Sequence, residues 1–440
     1  MPSFHLRFHL PRWTPHQRGN NRENDRENDL VKLRALPSPV DSPENSPEPT
    51  LPDDSRVRLF LMTNNFETGG SERQFSVLAQ NLRPEAFQVY LGCIERTGTF
   101  AQHFGEVPEF PLGGSLYGWT SWRTRLRLSR CLRQQHVQIA HAFDFYTNLA
   151  LIPAARFARV PVVIGSQRQL GDLLTPRQFR AQAAAFRWCD AVICNSHAAA
   201  DRLAADGLSR DKLFVIGNAL PADVFASVPA ALPRKPGSLR VGMVARMNAR
   251  YKNHSGFLRV AKRINQHMPE VEFLLAGDGP LRPELEREAQ TLGIGDRVVF
   301  LGDRRDIPAV MASLDVAVLT SDSESLSNAI LEAMAAGLPV VAYRVGGNAE
   351  LVNRDQGPQR GELVSAGDEE GFAAAVERLL SAPSMRAQFG QNARKFAEEN
   401  FALENVRARY EACYQTLIEK KGVRIPLGTW RPTTEAQRNG

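Results

Sequence analysis

The feature that most constrains the fold is a regular alternation of short apolar runs with longer amphipathic segments. The runs are rich in Val, Ile, Leu and Phe, and the segments between them repeat apolar residues at helical spacing. Short apolar runs are typical of strands buried on both faces, and the longer segments are typical of helices. This strand–helix alternation predicts an α/β fold with parallel sheets covered by helices.

The predicted strands fall into two series separated by a polar, proline-containing stretch. The first series comprises residues 56–62, 89–93, 137–141, 161–165 and 191–195, and the second comprises residues 240–244, 272–276, 298–300, 315–319 and 340–343. We therefore expect two doubly wound Rossmann-like domains facing a cleft.

Composition and pattern set the expected domain boundaries. Residues 1–55 are rich in Asn, Asp, Glu, Pro, Ser and Arg, which predicts a disordered N-terminal extension. The rest divides into an N-terminal domain (56–220), a linker (221–239), a C-terminal domain (240–402), a C-terminal helix (403–421) and a loose tail (422–440).

The overall composition is that of an ordinary soluble protein. Of the 440 residues, 43% are apolar and 23% are charged, and the net charge is +6. This charge is compatible with anionic substrates or an anionic membrane surface and selects neither. The five scattered cysteines indicate reduced thiols. With neither a membrane-spanning run nor a secretory signal in the sequence, we expect a cytoplasmic protein. Peripheral binding at the inner face of a membrane stays open at this point.

Two carboxylates eight positions apart mark the first candidate site. Glu324 follows the predicted strand 315–319, at the position where open α/β sheets bind ligands. A helix is predicted to start next, and the N–H groups near residues 326–328 can hold a phosphate. Glu332, about two turns into that helix, can face the same cleft. The pattern predicts one carboxylate for each of two polyol groups.

Two cations follow the first strand of the second series. Arg246 and Lys252 lie on the loop after residues 240–244, and such a pair suits a diphosphate leaving group. A solvated basic loop is the alternative, but the downstream carboxylates and glycine turns favour binding. Gly277 and Asp278 form one such turn, where glycine would let the backbone approach a ligand, although an ordinary short turn is an equal alternative.

These motifs together resemble the donor domain of glycosyltransferase family 4, a family of retaining sugar transferases with the two-domain GT-B fold. The matching segments are residues 242–246 with Lys252, 275–280, 298–302, 323–342 and 346–347. Looser signatures at residues 69–73 and 216–221 extend the resemblance over most of residues 56–420.

The resemblance implies a role for each matching position. Arg246 and Lys252 would hold the donor diphosphate, Glu324 would contact hydroxyls of the transferred sugar, and Glu332 would contact the ribose. The implied further donor contacts are the backbone of Leu326, Ser327 and Asn328 for the phosphate, Gly277, Asp278, Phe300 and Leu301 around the base, and Gly69 and Gly70 for the donor phosphates.

The chain departs from the family pattern in two places. Ser325 and Ser327 stand where the family often has Gly and Pro, and sugar preference is expected to differ as a result. Many members carry His-x-His in the first domain. Here His141 matches, and Phe143 replaces the second histidine. His141 is a catalytic candidate, with a packed histidine as the equal alternative.

Two further polar residues are candidates for the acceptor side of the site. Asp144 directly follows Phe143 in the sequence, and like His141 it is a candidate for the cleft. Arg168, after the predicted strand 161–165, could approach an anionic acceptor or a phosphate, although a surface cation is the favoured alternative.

An arginine-rich segment in the first half predicts a second kind of partner. Arg123, Arg125, Arg127, Arg130 and Arg133 follow Trp119 and Trp122. Arginines beside exposed aromatic residues suit an anionic membrane surface, and a solvated helix face is the equal alternative. Nothing in the chain resembles a nucleic-acid-binding module.

The function predicted from the sequence is retaining transfer of a hexose-like unit from a nucleotide sugar to a saccharide or lipid-linked acceptor. Cell-envelope or exopolysaccharide synthesis is the expected setting. No metal or bound cofactor is expected, because no Asp-x-Asp motif is evident and two cations can replace a divalent ion. A non-catalytic sugar-nucleotide-binding partner of a transferase is the alternative. A nicotinamide-dependent dehydrogenase is disfavoured because G-x-G-x-x-G is missing.

Overall fold

The computed structural model of the chain describes residues 56–116, 118–353 and 357–423, and it confirms the α/β fold with two parallel sheets. The expected disorder of residues 1–55 lies outside the described residues, as does the predicted tail beyond Val423.

The first sheet has six strands in the order β2-β1-β3-β4-β5-β6. Its strands are β1 (Val57–Thr63), β2 (Phe87–Cys93), β3 (Ile139–Ala142), β4 (Val162–Gln167), β5 (Ala191–Cys194) and β6 (Leu213–Val215). β1 pairs in parallel with both β2 and β3, so the chain changes direction across the sheet at this point.

The second sheet has six strands in the order β12-β11-β10-β7-β8-β9. Its strands are β7 (Arg240–Val244), β8 (Glu272–Ala276), β9 (Val298–Gly302), β10 (Val316–Leu319), β11 (Val340–Tyr343) and β12 (Gly361–Val364). β7 pairs in parallel with both β8 and β10, which makes the carboxyl ends of β7 and β10 the switch point of the sheet.

Helices connect these strands, as the alternation predicts. They are α1 (Gly70–Asn81), α2 (Trp119–Gln134), α3 (Phe145–Phe157), α4 (Pro176–Arg187), α5 (His197–Ala205), α6 (His254–His267), α7 (Arg282–Thr291), α8 (Ile307–Met311), α9 (Asn328–Ala335), α10 (Asn348–Val352), α11 (Glu369–Ser381), α12 (Pro383–Phe401) and α13 (Leu403–Lys420).

The strands in the middle of the second sheet are deeply buried. Every residue of β10 and β11 is buried, and Val241 and Met243 of β7 are almost fully buried. Strands covered on both faces in this way read as continuous apolar runs, which is why the sequence located them.

Sequence patterns missed two of the four edge strands, β6 and β12. The three residues of β6 are all half-buried, and β12 begins with a glycine followed by Glu362. Neither forms the apolar run that reveals a central strand, because a strand at the edge of a sheet is covered on fewer sides.

Proximity of Cα atoms divides the chain into two compact units. Within the described ranges, the first unit holds residues 56–166, 180–192 and 414–423, and the second holds residues 167–179 and 193–413. Residues 193–220 therefore group with the second sheet, and the end of α13 groups with the first.

Among the described residues, no helix combines the length and the apolar character needed to cross a lipid bilayer.

Candidate functional site

An ion pair at the switch point of the second sheet forms the centre of the candidate site. The ammonium Nζ of Lys252, after β7, donates to Oε1 of Glu324, after β10, at 2.7 Å. Glu324 is buried and Lys252 is half-buried. A charge-assisted bond in such a place is stronger than one at an exposed surface. The two residues that the sequence proposed from separate loops are in direct contact.

Three hydrogen bonds fix the loop that carries Lys252 against the loop that carries Glu324. The Thr320 hydroxyl donates to the carbonyl of Asn253 at 2.8 Å, and the Asn253 amide donates to Asp322 at 3.0 Å. The Asp322 N–H donates to the carbonyl of Tyr251 at 2.8 Å. Lys252 is thus held on both sides, so its position against Glu324 is set by the backbone as well as by charge.

Asn253 also starts the helix that follows Lys252. It lies in the left-handed region with φ of 52°, and its side chain accepts the N–H of Gly256 as the cap of α6. Asparagine tolerates this conformation better than most residues. Asn253 is a positioning residue that the sequence reasoning missed. An Asn immediately before a helical pattern was the available signal.

The double glycine after β11 supports the backbone of the Glu324 loop. The Gly347 N–H donates to the carbonyl of Glu324 at 3.2 Å. A Cβ on Gly346 would lie 1.9 Å from that carbonyl oxygen, and one on Gly347 would lie 2.0 Å from the carbonyl oxygen of Ser325. No side chain fits at either position, so the pair of glycines holds the Glu324 loop at close range.

Asn348 does not cap the helix that follows β11. It is the first residue of α10, and Gly347 occupies the cap position. The Asn348 amide instead donates to the carbonyl of Tyr343 at 3.1 Å, so it closes the turn after β11.

The glycines around Asp278 allow a close approach between two backbone segments. Gly277 and Gly279 have φ of 133° and 152°. A Cβ on Gly277 would lie 2.1 Å from the carbonyl oxygen of Ala245, and one on Gly279 would lie 2.5 Å from the Met247 backbone. The two glycines let this turn pack against the loop carrying Arg246, whose side chain is exposed. Contact of the turn with a ligand stays a prediction.

The predicted base-binding residues lie on neighbouring strand ends. The Gly277 N–H donates to the carbonyl of Gly302 at 2.8 Å, which brings the Asp278 turn beside Phe300 and Leu301. Arg282 binds Asp278 at 3.0 Å and reaches the carbonyl of Phe300 at 3.5 Å. The second unit therefore gathers these residues at one edge of the sheet.

The short helix α9 begins at the end of the predicted phosphate turn, Leu326 to Asn328, and carries the second carboxylate. Ser327 is its cap, and its hydroxyl accepts the Ile330 N–H at 3.3 Å. The serine that stands here in place of the family's Pro therefore supplies a cap. Glu332 is buried, and it is the fifth residue of the helix, so it lies little more than one turn in and not two.

The other departure, Ser325, ties the Glu324 loop to the end of β5. Its hydroxyl donates to the side-chain oxygen of Asn195 at 2.5 Å and lies 3.2 Å from the hydroxyl of Ser196. All three residues are buried. A glycine at position 325 could not make these bonds, so this chain holds the loop with side chains of its own.

Arg168 is not a surface cation. It is half-buried, and its guanidinium donates to the Tyr410 hydroxyl at 3.3 Å and to the side-chain oxygen of Asn218 at 2.5 Å. The favoured alternative from the sequence is therefore wrong. The acceptor-side role stays a prediction.

His141 is fully buried in the first unit, with both ring nitrogens bonded. Nδ1 lies 2.8 Å from the Tyr414 hydroxyl and Nε2 lies 2.7 Å from the Ser166 hydroxyl. Phe143 packs against it with ring centroids 5.0 Å apart. This arrangement favours the packed-histidine alternative, and a catalytic role for His141 stays a prediction.

Asp144 is the cap of α3. Its carboxylate accepts the N–H groups of Thr147 at 3.0 Å and of Asn64 at 2.6 Å. Burial raises the pKa of the carboxyl to about 7; the two N–H bonds oppose this rise and the Glu72 carboxylate adds to it.

The two glycines predicted near the donor phosphates lie at the start of α1. Gly69 is the cap of α1, and Gly70 is the first residue of that helix.

The arginine-rich segment forms α2, and one of its five arginines points inward. Arg125 donates to the carbonyl of Leu149 at 3.1 and 3.2 Å and to the Ser121 hydroxyl at 2.7 Å. Arg125 thus links α2 to α3 and does not belong to the predicted membrane surface. The remaining four, Arg123, Arg127, Arg130 and Arg133, are exposed.

Comparison with known families assigns both halves of the chain. Residues 238–382 match the family described as glycosyl transferases group 1, and residues 68–224 match glycosyltransferase family 4.

Curated relatives match over part of their length. The lipopolysaccharide core biosynthesis glycosyltransferase LpsE of Rhizobium meliloti is 32% identical over 242 residues, which is 55% of this chain and 67% of LpsE. The UDP-Gal:alpha-D-GlcNAc-diphosphoundecaprenol alpha-1,3-galactosyltransferase of Escherichia coli is 29% identical over 276 residues, 58% of this chain and 70% of that protein. The N-acetyl-alpha-D-glucosaminyl L-malate synthase of Bacillus anthracis is 34% identical over 149 residues, which is 34% of this chain and 38% of that protein.

Solved structures share the fold. HepE of Anabaena in complex with UDP superposes with a TM-score of 0.71 at 22% identity, covering 82% of this chain and all of HepE. The apo form of the lipopolysaccharide outer core galactosyltransferase WaaB gives a TM-score of 0.65 at 16% identity, covering 82% of this chain and 99% of WaaB. The fold is thus the GT-B fold that the resemblance implied.

Proposed function

This chain belongs to glycosyltransferase family 4, and we propose that it transfers a hexose from a nucleoside diphosphate sugar to a saccharide or lipid-linked acceptor. The proposed transfer retains the anomeric configuration and serves cell-envelope or exopolysaccharide synthesis. The names of LpsE and of the Escherichia coli galactosyltransferase support this setting. The structures of HepE with UDP and with UDP-glucose support a uridine donor as the first candidate.

The contact between Lys252 and Glu324 carries the proposal. It places a cation and a carboxylate 2.7 Å apart at the switch point of the second sheet. A nucleotide sugar offers a diphosphate for the cation and sugar hydroxyls for the carboxylate, joined through one anomeric carbon. The pair therefore fits the two sides of the bond that breaks.

The proposed reaction proceeds on one face of the sugar. The bond between the anomeric carbon and the diphosphate oxygen breaks, and the acceptor oxygen forms its bond to that carbon on the same face. The acceptor proton passes to an oxygen of the departing phosphate, which leaves as the nucleoside diphosphate. Arg246 and Lys252 stabilise the negative charge that grows on the leaving group, and we propose that these two cations make a divalent ion unnecessary.

The remaining donor contacts are also proposed for residues of the second unit. We assign Glu332 to the ribose hydroxyls and the edge formed by Asp278, Phe300 and Leu301 to the base. The closeness of Gly277 to Gly302, with an N–H to carbonyl distance of 2.8 Å, supports a single base-binding edge there.

A donor panel tests the proposed function. The purified full chain is titrated with UDP, GDP and ADP sugars, and thermal unfolding is followed together with release of nucleoside diphosphate in the presence of saccharide and lipid-linked acceptors. We expect one donor to raise the unfolding midpoint in a dose-dependent way, because binding at 100 times its Kd adds about 2.7 kcal/mol to the free energy of unfolding. That donor should release its diphosphate only with an acceptor. Binding with no release under any acceptor would favour the non-catalytic alternative, and no binding of any donor would refute both.

We further propose that α2 binds an anionic membrane surface. Its exposed face carries Trp119 and Trp122, 71% and 45% exposed, among four exposed arginines, and the helix has no acidic residue. Phe157 of α3, 63% exposed, extends the apolar area with its ring 6.2 Å from that of Trp122. Exposed aromatic rings beside arginines suit the headgroup region of an anionic bilayer.

Vesicle flotation tests this surface. Each exposed arginine contributes on the order of 1 kcal/mol of attraction, so alanine at positions 123, 127, 130 and 133 should weaken binding to phosphatidylserine-containing vesicles more than about 100-fold. The matched control replaces four exposed arginines of the second unit, Arg263, Arg287, Arg297 and Arg305, and removes the same charge. If both variants lost vesicle binding equally, net charge alone would explain the loss, and α2 would not be the membrane surface.

A further inference from the structure

A chain of side-chain hydrogen bonds leads from Arg168 through Asn218 to Asn328, the first residue of α9. Arg168 Nη2 donates to Asn218 Oδ1 at 2.5 Å. Asn218 Nδ2 then donates to Asn328 Oδ1 at 2.7 Å and lies 3.4 Å from the carbonyl oxygen of Leu326. All of these residues belong to the second unit.

The orientation of each amide in this chain is forced by the one before it. A guanidinium can only donate hydrogen bonds, so the oxygen of Asn218 must face Arg168. The nitrogen of Asn218 therefore faces α9, where both of its partners are oxygens. Asn328 must in turn direct its own oxygen at Asn218, and its amide nitrogen lies on the other arm of the amide, facing away.

The residues of the chain are held firmly enough to impose this order. Asn218 is buried, with 3% of its surface exposed, and Arg168 is itself held by the Tyr410 hydroxyl at 3.3 Å. The backbone beside Asn218 packs closely against Phe401, because a Cβ on Gly217 would lie 2.5 Å from the ring of Phe401. A buried amide in such a network seldom reverses, since reversal would oppose donor to donor and acceptor to acceptor.

We propose that Asn218 is a positioning residue that fixes the side chain of Asn328 so that its amide nitrogen donates to the terminal phosphate of the leaving nucleoside diphosphate. This proposal rests on the proposed function and deepens it, because it adds a side-chain donor to the backbone turn at the start of α9. The beginning of a helix favours negative charge, and an oriented amide there adds a hydrogen bond to a charged acceptor. A nucleoside monophosphate lacks that terminal phosphate and would not use the contact.

Isothermal titration with UDP and UMP tests the proposal, or with the corresponding pair if the donor panel selects another base. Asn218→Asp keeps the shape of the side chain but removes its N–H donors, so Asn328 is no longer held in its orientation. We expect the affinity for UDP to fall about tenfold or more, in line with the loss of one hydrogen bond to a charged group. The affinity for UMP should stay at the wild-type value.

Asn328→Ala, at the half-buried start of α9, is the second variant and should cause a similar selective loss. Combining it with Asn218→Asp should cause no further loss, because both changes remove the same donor. Asn392→Ala is the matched control, since its amide donates to a backbone carbonyl of Gln359 on another surface.

The outcomes separate the inference from the function on which it rests. Parallel weakening of UDP and UMP in either variant would assign Asn218 a purely structural role and overturn the inference. Additive losses in the double variant would also overturn it. A wild-type chain that binds no nucleoside diphosphate would refute the proposed function itself.

Discussion

Replacing Glu324 with Gln is expected to lower kcat/KM for sugar transfer about 100-fold or more, the cost typical of removing one preorganised electrostatic group from an active site. The carboxylate is buried, and Lys252 donates to it at 2.7 Å. Gln keeps the shape but loses the charge that accepts hydrogen bonds from sugar hydroxyls and holds the ammonium in place.

The expected loss should fall mainly in the sugar-dependent part of the reaction. Nucleoside diphosphate alone does not present the hydroxyls that Glu324 is proposed to bind, so its affinity should change little in Glu324→Gln. Steady-state transfer assays and titration with the free diphosphate measure these two quantities separately. Weakening of both to the same extent would place Glu324 at the phosphate and contradict the assignment to the sugar.

Glu362→Gln supplies the control for the Glu324 variant. Glu362 pairs with Arg378 at β12, so this change also breaks a carboxylate–cation pair. We expect transfer by Glu362→Gln to stay at the wild-type level. A comparable loss in this control would mean that general destabilisation explains the effect.

The sequence predicted the second sheet better than the connections between its loops. Strands β10 and β11 are buried at every residue, so they appear as unbroken apolar runs. Glu324 and Lys252 were recognised because each follows such a strand. Their direct contact was not predicted, because it depends on β7 and β10 being neighbours in space although 71 residues lie between Val244, which ends β7, and Val316, which begins β10.

Side-chain networks could not be predicted from the same patterns. The bonds from Asn253 to Asp322, from Ser325 to Asn195 and from Asn218 to Asn328 join segments far apart in sequence. Polar residues on loops carry no periodicity, so nothing local indicates which partner each will meet. The same limitation explains Arg125, which has the spacing of an exposed arginine and yet binds α3.

Replacing Lys252 with Ala is the second change with a large expected effect. The ammonium is proposed to stabilise the leaving diphosphate, whose charge is greater in the transition state than in the bound donor. Its loss should therefore lower kcat about 100-fold or more, with a smaller change in KM. Pre-steady-state release of nucleoside diphosphate measures the step directly.

A second consequence of this change has to be separated from catalysis. Lys252→Ala leaves Glu324 buried without its cation. Removing one partner of a fully buried pair costs about 3 to 5 kcal/mol of stability. The cost is smaller here, because the Lys252 side chain is 23% exposed and solvent screens the pair. The double variant Lys252→Met with Glu324→Gln removes both charges together. It should regain thermal stability relative to Lys252→Ala while transfer stays low.

Arg250→Ala is the matched control in the same loop. Arg250 lies two positions before Lys252, is largely exposed and pairs with Glu284 at 3.0 Å. Removing it takes away the same charge from the loop without touching Glu324, so kcat should stay near the wild-type value. If Arg250→Ala lowered kcat as much as Lys252→Ala does, the effect would come from the overall charge of the loop. If Lys252→Ala alone lowers kcat and the double variant stays slow after stability returns, the ammonium acts on the leaving group.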